Sequence, residues 1–401
     1  MPFFFRTQPL KAVYMTCFIL SVLVRIPFWA ISAAIPALRP RKAWSYRRTL
    51  IFHTINGFMS TFFQVGFMYS IGEDPEAVAA TSTASEVGFA WVEPLEETEV
   101  VGEVAEAAKV NNVKTVKTAG YWYPPSMQPN GRHPAADEQV ILHIHSGGHV
   151  MGSAHPQGGP AGPVCSGLLE HCAQIKRVFS CGYRLAASAP YPSKNPFPAG
   201  LLDVISGYKY LLKLGFKPQN IVVCGDSAGG NLAMALTLYA TRNKLPSLPI
   251  PGGLVLISAS VEWEITHNGS ESSWKTNACS DFSNLFFTKG YTARSLLGNL
   301  APATIATSPW ISPASLRLDH SVVKKLFVGF PMTYIIAGGA ETARDALGTL
   351  RDRLQEDIGS DKVLYNEVKD ATHDIVTMVW YEPERSEIFK DIALWMDKVY
   401  S

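Results

Sequence analysis

The stretch Ile221-Val222-Val223-Cys224-Gly225-Asp226-Ser227-Ala228-Gly229-Gly230-Asn231 constrains this chain more than any other. Its apolar, β-branched opening reads as a buried strand, and from Asn231 to Thr241 helix formers carry apolar residues at helical spacing. Between the two stands Gly-x-Ser-x-Gly. A strand that becomes a helix within about two residues needs its backbones to pass closely, which Gly225 and Gly229 allow, and it lifts Ser227 out on a strained turn. The helix that follows aims free N–H groups and its positive dipole end at the space above the Ser227 hydroxyl, where an oxyanion would form. Taken alone the pattern is common by chance, and a plain strand-turn-helix with packing glycines fits it equally well.

The chain has 401 residues, enough for one large α/β domain with additions or for two domains, and its 47% of apolar residues can build a sizeable core. A formal net charge of +1 gives no general attraction to nucleic acid, and no basic run interleaved with aromatics offers a stacking platform, so nucleic acid is not an expected partner. The six cysteines (Cys17, Cys165, Cys172, Cys181, Cys224, Cys279) are scattered and lack metal-ligand spacing. They predict no disulfide framework, although one bridge remains open.

Ala12 to Val24 carries no charge, and after Arg25 the apolar character resumes from Ile26 to Leu38. A straight span needs about 20 apolar residues, and an arginine near the middle costs a few kcal/mol unless it snorkels or pairs. A membrane anchor, an interfacial helix, a cleaved signal peptide and a helix that merely packs on the protein are all open; the anchor is the expectation. The basic cluster Arg39, Arg41, Lys42, Arg47, Arg48 argues against cleavage and fits headgroup contact. It favours a cytosolic flank, whereas the sequon Asn268-Gly269-Ser270 matters only in a lumen, so the side is undecided. The expected location is a membrane, at the endoplasmic reticulum. Residues 49–70, rich in Phe and Met, read as a helix over a hydrophobic pocket or as core. Residues 74–108, acidic and Ala-rich, read as a solvated surface loop, and Val113 to Tyr123 as an exposed strand.

Gln139 to Ile144 reads as a buried strand running into His145-Ser146-Gly147-Gly148-His149. Two glycines after a strand can present backbone N–H groups inward. Together with the N–H of Ala228, those of Gly147 and Gly148 would form a three-donor oxyanion hole, which usually contributes more than any other group to catalysis of acyl transfer.

With these residues in view, the chain resembles the hormone-sensitive-lipase-like branch of the α/β-hydrolases. That branch has His-Gly-Gly-Gly, Tyr-Arg-Leu-Ala-Pro, Phe-Pro-Ala and Gly-Asp-Ser-Ala-Gly-Gly in order. Here stand His145-Ser146-Gly147-Gly148, Tyr183-Arg184-Leu185-Ala186, Phe197-Pro198-Ala199 with Asp203, and Gly225-Asp226-Ser227-Ala228-Gly229-Gly230. The resemblance covers roughly residues 110–400. Its departures are Ser146 for a motif glycine and Ala187 for the proline. More generally, a membrane-like N-terminus ahead of such a domain is similar to fungal steryl-acetyl-hydrolase-type enzymes. The resemblance implies an α/β fold with a mostly parallel central sheet, flanking helices and a helical cap. The expected layout is an anchor segment at 1–48, a cap or loop region at 49–110, and a catalytic domain at 111–401 with a cap insertion near 262–310.

An elbow serine needs a neutral histidine to take its proton, and that histidine needs a carboxylate to fix its tautomer. In this fold the chain order is Ser, acid, His. Of ten histidines, only His373 follows a plausible late strand, Lys362 to Val368, and precedes a final helix. His143 is expected in strand packing, His145 ordering the oxyanion turn, His149 lining the pocket. Met332 to Gly339 reads as a buried strand, with Glu341 just past its end and Asp345 one helical turn on as a rival acid. The resemblance favours Glu341. It also implies that Asp226 structures the elbow, that Tyr183 and Arg184 brace the oxyanion loop, and that the aromatics Trp263, Trp274, Phe282, Phe286, Phe287 and Tyr291 roof a pocket.

The expectation is therefore a serine ester hydrolase using Ser227, Glu341 and His373, with no metal or organic cofactor. Its expected partners are a small lipophilic ester and, through the N-terminal segment, a membrane. An acyltransferase with the same triad and a ligand-binding receptor on the same scaffold are the alternatives.

Overall fold

Short apolar runs bounded by turns become strands β1 (Phe89–Val92), β2 (Thr118–Tyr123), β3 (Val140–Ile144), β4 (Val178–Cys181), β5 (Ile221–Asp226), β6 (Gly253–Ile257), β7 (Met332–Gly338) and β8 (Val363–Val368). In the computed structural model, which describes residues 3–66, 74–129, 131 and 133–400, they form one sheet in the order β1-β2-β4-β3-β5-β6-β7-β8. β1, β2 and β4 pair antiparallel; every pairing from β4 to β8 is parallel. A parallel sheet is covered on both faces, which is why its strands read as continuous rather than alternating apolar runs.

The helices are α1 (Leu10–Ala34), α2 (Tyr46–Val65), α3 (Pro75–Ala79), α4 (Gly102–Asn111), α5 (Ala161–His171), α6 (Ala199–Lys213), α7 (Ala228–Asn243), α8 (Ser273–Thr276), α9 (Asn284–Thr288), α10 (Tyr291–Leu297), α11 (Thr304–Thr307), α12 (His320–Val323), α13 (Arg344–Ile358) and α14 (Glu384–Tyr400). One core gathers Leu142, Phe179, Val223 and Leu256 with Leu201, Tyr208, Leu236 and Tyr239 of α6 and α7. The second gathers Ile141, Val222, Val255 and Tyr334 with Leu168 of α5 and Phe389 and Trp395 of α14. Each such buried side chain contributes roughly 1.5–3 kcal/mol. Together the two layers hold the carboxyl ends of β3, β5, β7 and β8 in register.

Two sequence expectations are corrected. The acidic stretch 74–108 is not a loop: it holds α3, β1 and α4, with Val104, Ala107 and Ala108 buried. Glu99, also buried, pairs with Lys209, and the Trp310 indole donates to Glu103 at 2.6 Å, so distant partners take up charges that looked solvated. The sheet thus begins at Phe89, ahead of residue 111. β2 is buried throughout rather than exposed, because β1 and β4 flank it. All six cysteines are free.

The helix expected within 49–70 is α2; residues 67–70 lie outside the described ones. It packs on α1, with Phe18 and Phe58 ring centroids 5.4 Å apart, and Phe63 meets the cap residue Phe286 at 5.2 Å. α1 is long and apolar enough to cross a membrane. The basic cluster behind it is mostly spent on the protein itself. Arg39 donates to Ala33 O at 2.8 Å, Arg41 to Ser280 and Asn277, and Arg48 grips Glu384 with two bonds of 2.8 Å; only Lys42 and Arg47 stay exposed.

Candidate active site

β5 ends at Asp226 and α7 starts at Ala228, so Ser227 alone makes the turn. Its backbone sits at φ 51°, ψ −115°, a sparsely populated region that costs of order 1–3 kcal/mol for a side chain. The turn is tight enough that a Cβ at Gly229 would stand 1.9 Å from Ile144 O, which locks the elbow against the end of β3. The expected close passage of backbones is therefore between elbow and oxyanion strand as well as within the elbow.

His373 lies on the loop after β8. Its Nε2 is 2.8 Å from Ser227 Oγ, and its Nδ1 is 2.8 Å from Glu341 Oε2, on the loop after β7. Glu341 Oε1 accepts from Gly338 N at 2.7 Å. All three side chains are buried. The rival Asp345 is elsewhere: it accepts from Ser273 N at 2.8 Å and pairs with Arg344. Burial by itself pushes the His373 imidazole down, but the Glu341 bond and charge, with Asp281 and Asp374 nearby, outweigh it and bring the pKa up to about 9. Burial pushes the Glu341 carboxyl up, with the His373 bond and charge acting against it.

The loop after β3 places Gly147 at φ 123° and Gly148 at φ 61°. A Cβ on Gly147 would meet Met151 O at 1.9 Å, so glycine is required there. Among the described residues, the N–H groups of Gly147, Gly148 and Ala228 meet no protein acceptor. The His145 ring stacks on Tyr183 at 4.2 Å, its Nδ1 bonds Ser146 O at 2.7 Å, and Tyr183 donates back to His145 O at 3.0 Å. Burial pushes His145 down to about 4, so it stays neutral and donates from Nδ1. Arg184 fastens the next turn to Asp203 through its backbone N at 2.8 Å and its guanidinium. His149, held at φ 60° and pushed down to about 3 by burial, lines a small cavity with Asn231 and Leu232.

Beneath the elbow is a feature that sequence reading missed. His143 Nε2 is 3.0 Å from Asp226 Oδ1, and its Nδ1 is 3.0 Å from Ser180 Oγ. Asp374, next to His373, is buried against Asp226. Asp226 Oδ2 and Asp374 Oδ1 find no donor among the described residues, and one proton shared between the two carboxyls would satisfy both. Burial and the charge of Asp226 push Asp374 well up, which favours Asp374 as the carrier of that proton. Burial works on Asp226 in the same direction, but the His143 bond and charge hold it below the usual carboxylate range.

Two cavities adjoin these residues. One of 490 Å³, lined by His145, Gly152, Tyr183 and Arg184, opens behind the oxyanion loop and includes none of Ser227, Glu341 or His373. The other, of 30 Å³, begins at Ser260, whose hydroxyl is 3.3 Å from that of Ser227, and is closed by Trp274, Phe287 and Ala343.

A mostly parallel sheet that presents a serine on a strained strand-to-helix turn, within reach of a histidine after its last strand, defines the α/β-hydrolase class. The chain belongs to the alpha/beta hydrolase fold family, whose sequence profile matches residues 141–377, more than half of it. It is similar to an esterase of Acinetobacter venetianus, 26% identical, over 55% of this chain and 63% of that protein. It is likewise 26% identical to the versiconal hemiacetal acetate esterase of Emericella nidulans, over 55% of this chain and 68% of the relative. The chain therefore spans just under two thirds of the first relative's length. A crystal structure of an esterase from the bacterial hormone-sensitive lipase family shares the fold with a TM-score of 0.55 at 20% identity, over 87% of this chain and 98% of that one.

Proposed function

We propose that this protein is a serine carboxylester hydrolase that removes a short acyl group, such as acetate, from a lipophilic alcohol of the sterol or terpenoid class. The observation that carries the reading is the continuous line Glu341, His373, Ser227, each contact 2.8 Å, at the foot of the oxyanion loop. Ser227 Oγ attacks the ester carbonyl carbon as His373 Nε2 takes its proton, and Glu341 holds the imidazole in the required tautomer. The N–H groups of Gly147, Gly148 and Ala228 receive the developing oxyanion. The C–O bond to the alcohol then breaks, with His373 returning the proton to the leaving oxygen. Water, deprotonated by the same imidazole, releases the acid from the acyl-serine.

The small cavity beside Ser260 suits a short acyl group, and the Emericella nidulans relative is named for an acetate ester. The cap aromatics around the site, with Trp263 and Phe287 stacked at 5.1 Å and Phe282 6.2 Å from His373, suit a hydrophobic alcohol. We further propose that α1 anchors the enzyme in a membrane, at the endoplasmic reticulum. Its exposed Leu23 and Val24, at 62% and 66%, need an apolar cover, and the linker behind it is bonded into the protein.

The test is release of acid from a panel of acetylated sterols and terpenoids by the full chain, beside fluorophosphonate labelling of Ser227. The expected result is turnover and labelling in the natural chain and neither in Ser227→Ala. Transfer to an added alcohol in excess of hydrolysis would convert the reading to an acyltransferase. A chain that is not labelled would sink it in favour of a receptor.

A further inference from the structure

The eleven residues between α1 and α2 reach the two loops that carry Glu341 and His373. From Arg41, Nε donates to Ser280 Oγ at 3.1 Å and Nη2 to Asn277 Oδ1. Asn277 Nδ2 in turn donates to Glu341 O at 2.8 Å and Gly339 O at 3.2 Å, and Ser280 Oγ donates to Ala340 O at 2.9 Å. One guanidinium therefore sets two side chains that bond every backbone carbonyl from Gly339 to Glu341. On the other loop, Trp44 Nε1 donates to Asp370 O at 2.6 Å, where Tyr381 OH also donates at 3.0 Å. The Trp44 ring packs on Ala340 with Phe52 and Phe282, and Phe282 is the edge-on neighbour of the His373 ring. Arg48 lies 3.8 Å over the Tyr381 ring while holding Glu384. Thr372 Oγ1, beside His373, closes the circuit by donating to Ser280 O at 2.7 Å.

A linker that only tethered a helix would need none of these bonds. Arg41 and Trp44 are buried or half-buried, and their partners are more than 200 positions away in the chain. Loops at strand ends hold little structure of their own, and a misplacement of about 1 Å at a general base can cost on the order of 100-fold in rate. We propose that Arg41 and Trp44 form a positioning strap for the triad, Arg41 fixing the Glu341 loop through Asn277 and Ser280, and Trp44 fixing the His373 loop through Asp370. The proposal rests on the triad reading above. It makes the element that follows the apolar helix part of the catalytic frame, so that the geometry of the site and the seating of the N-terminal hairpin are shared.

The experiment uses the full chain in detergent with p-nitrophenyl acetate, a soluble ester that needs no membrane delivery. Arg41→Ala is expected to lower kcat on the order of 10-fold to 100-fold with KM within about twofold. It should also move the midpoint of the kcat/KM–pH profile down toward 6.5, the imidazole's ordinary value, as Glu341 loosens. Arg41→Lys, which can keep one of the bonds, is expected to recover most of the rate, and Arg47→Ala, an equal charge change on an exposed side chain, to leave it unchanged. Trp44→Phe keeps an aromatic ring against Phe52 and Ala340 while removing the bond to Asp370 O; several-fold loss of kcat is expected, and this variant decides the matter if Arg41→Ala does not fold. Wild-type kcat and pH midpoint in the Arg41 and Trp44 variants, with Ser227→Ala inactive, would overturn the strap alone. A natural chain that neither turns over the ester nor takes the fluorophosphonate would overturn the hydrolase reading and the strap with it.

Discussion

Glu341 presents one carboxylate oxygen to His373 Nδ1 at 2.8 Å and the other to Gly338 N at 2.7 Å, so its plane is fixed by its own strand end before it orients the imidazole. Because, in the proposed mechanism, His373 accepts the serine proton only when neutral, kcat/KM should rise with pH along a one-proton limb. Its midpoint should lie above 6.5, toward about 9. Replacement Glu341→Gln keeps the shape and removes the charge; it should bring that midpoint down and lower kcat by about 10⁴. The same raised pKa means that the stabilisation from charged His373 is complete below pH 6.5 and is lost as pH climbs toward 9. A pH–rate series on both chains measures the first effect, and unfolding midpoints across that window the second.

Asp345 supplies the converse. It sits on α13 bonded to Ser273 N at 2.8 Å and to Arg344, away from the imidazole. Replacement Asp345→Asn should leave kcat and the pH midpoint unchanged. Lost activity with unaltered stability would reinstate it as the acid.

The paired carboxyls beneath the elbow predict an asymmetry. Asp374 is the protonated partner, and Asp374→Asn still offers a donor to Asp226, so stability should stay within about 1 kcal/mol of the natural chain. Asp226→Asn removes the charge that His143 bonds, and should cost about 1–3 kcal/mol or more. Denaturant unfolding of the two variants gives the ranking; equal losses for the two aspartates would refute the shared proton.

What was legible in the sequence was local. Ser227 is raised by four residues on either side of it, and Gly147 and Gly148 follow directly from a strand whose apolar run is continuous. His373 could be found because a strand and a final helix bracket it. What escaped depends on partners far along the chain. Arg41 and Arg48 resembled a headgroup patch because Asn277 and Glu384, which take up their charge, are separated from them by more than 230 residues. Glu99 looked solvated because Lys209 was not in view, and β1 is only four residues long in an acidic setting, so its pairing with β2 carries no periodic signal. The Asp226–Asp374 pair has no signature either: each aspartate stands beside a site residue, and either one alone reads as turn chemistry.

The exposed face of α1 leads to the last prediction. Leu20 and Leu23 are 57% and 62% exposed and touch little of the protein, so changing them should not disturb the fold. At the centre of a bilayer each lysine costs roughly 2.5–3.5 kcal/mol, so the double change Leu20→Lys, Leu23→Lys removes several kcal/mol of membrane affinity. The variant should leave the membrane fraction for the soluble one on sedimentation, yet hydrolyse p-nitrophenyl acetate at the natural rate, because Arg41 and Trp44 stay seated. Its turnover of a bilayer-dissolved sterol acetate should fall, since enzyme and substrate no longer share a phase. A variant that remains in the membrane pellet would show that α1 is not what holds the protein there.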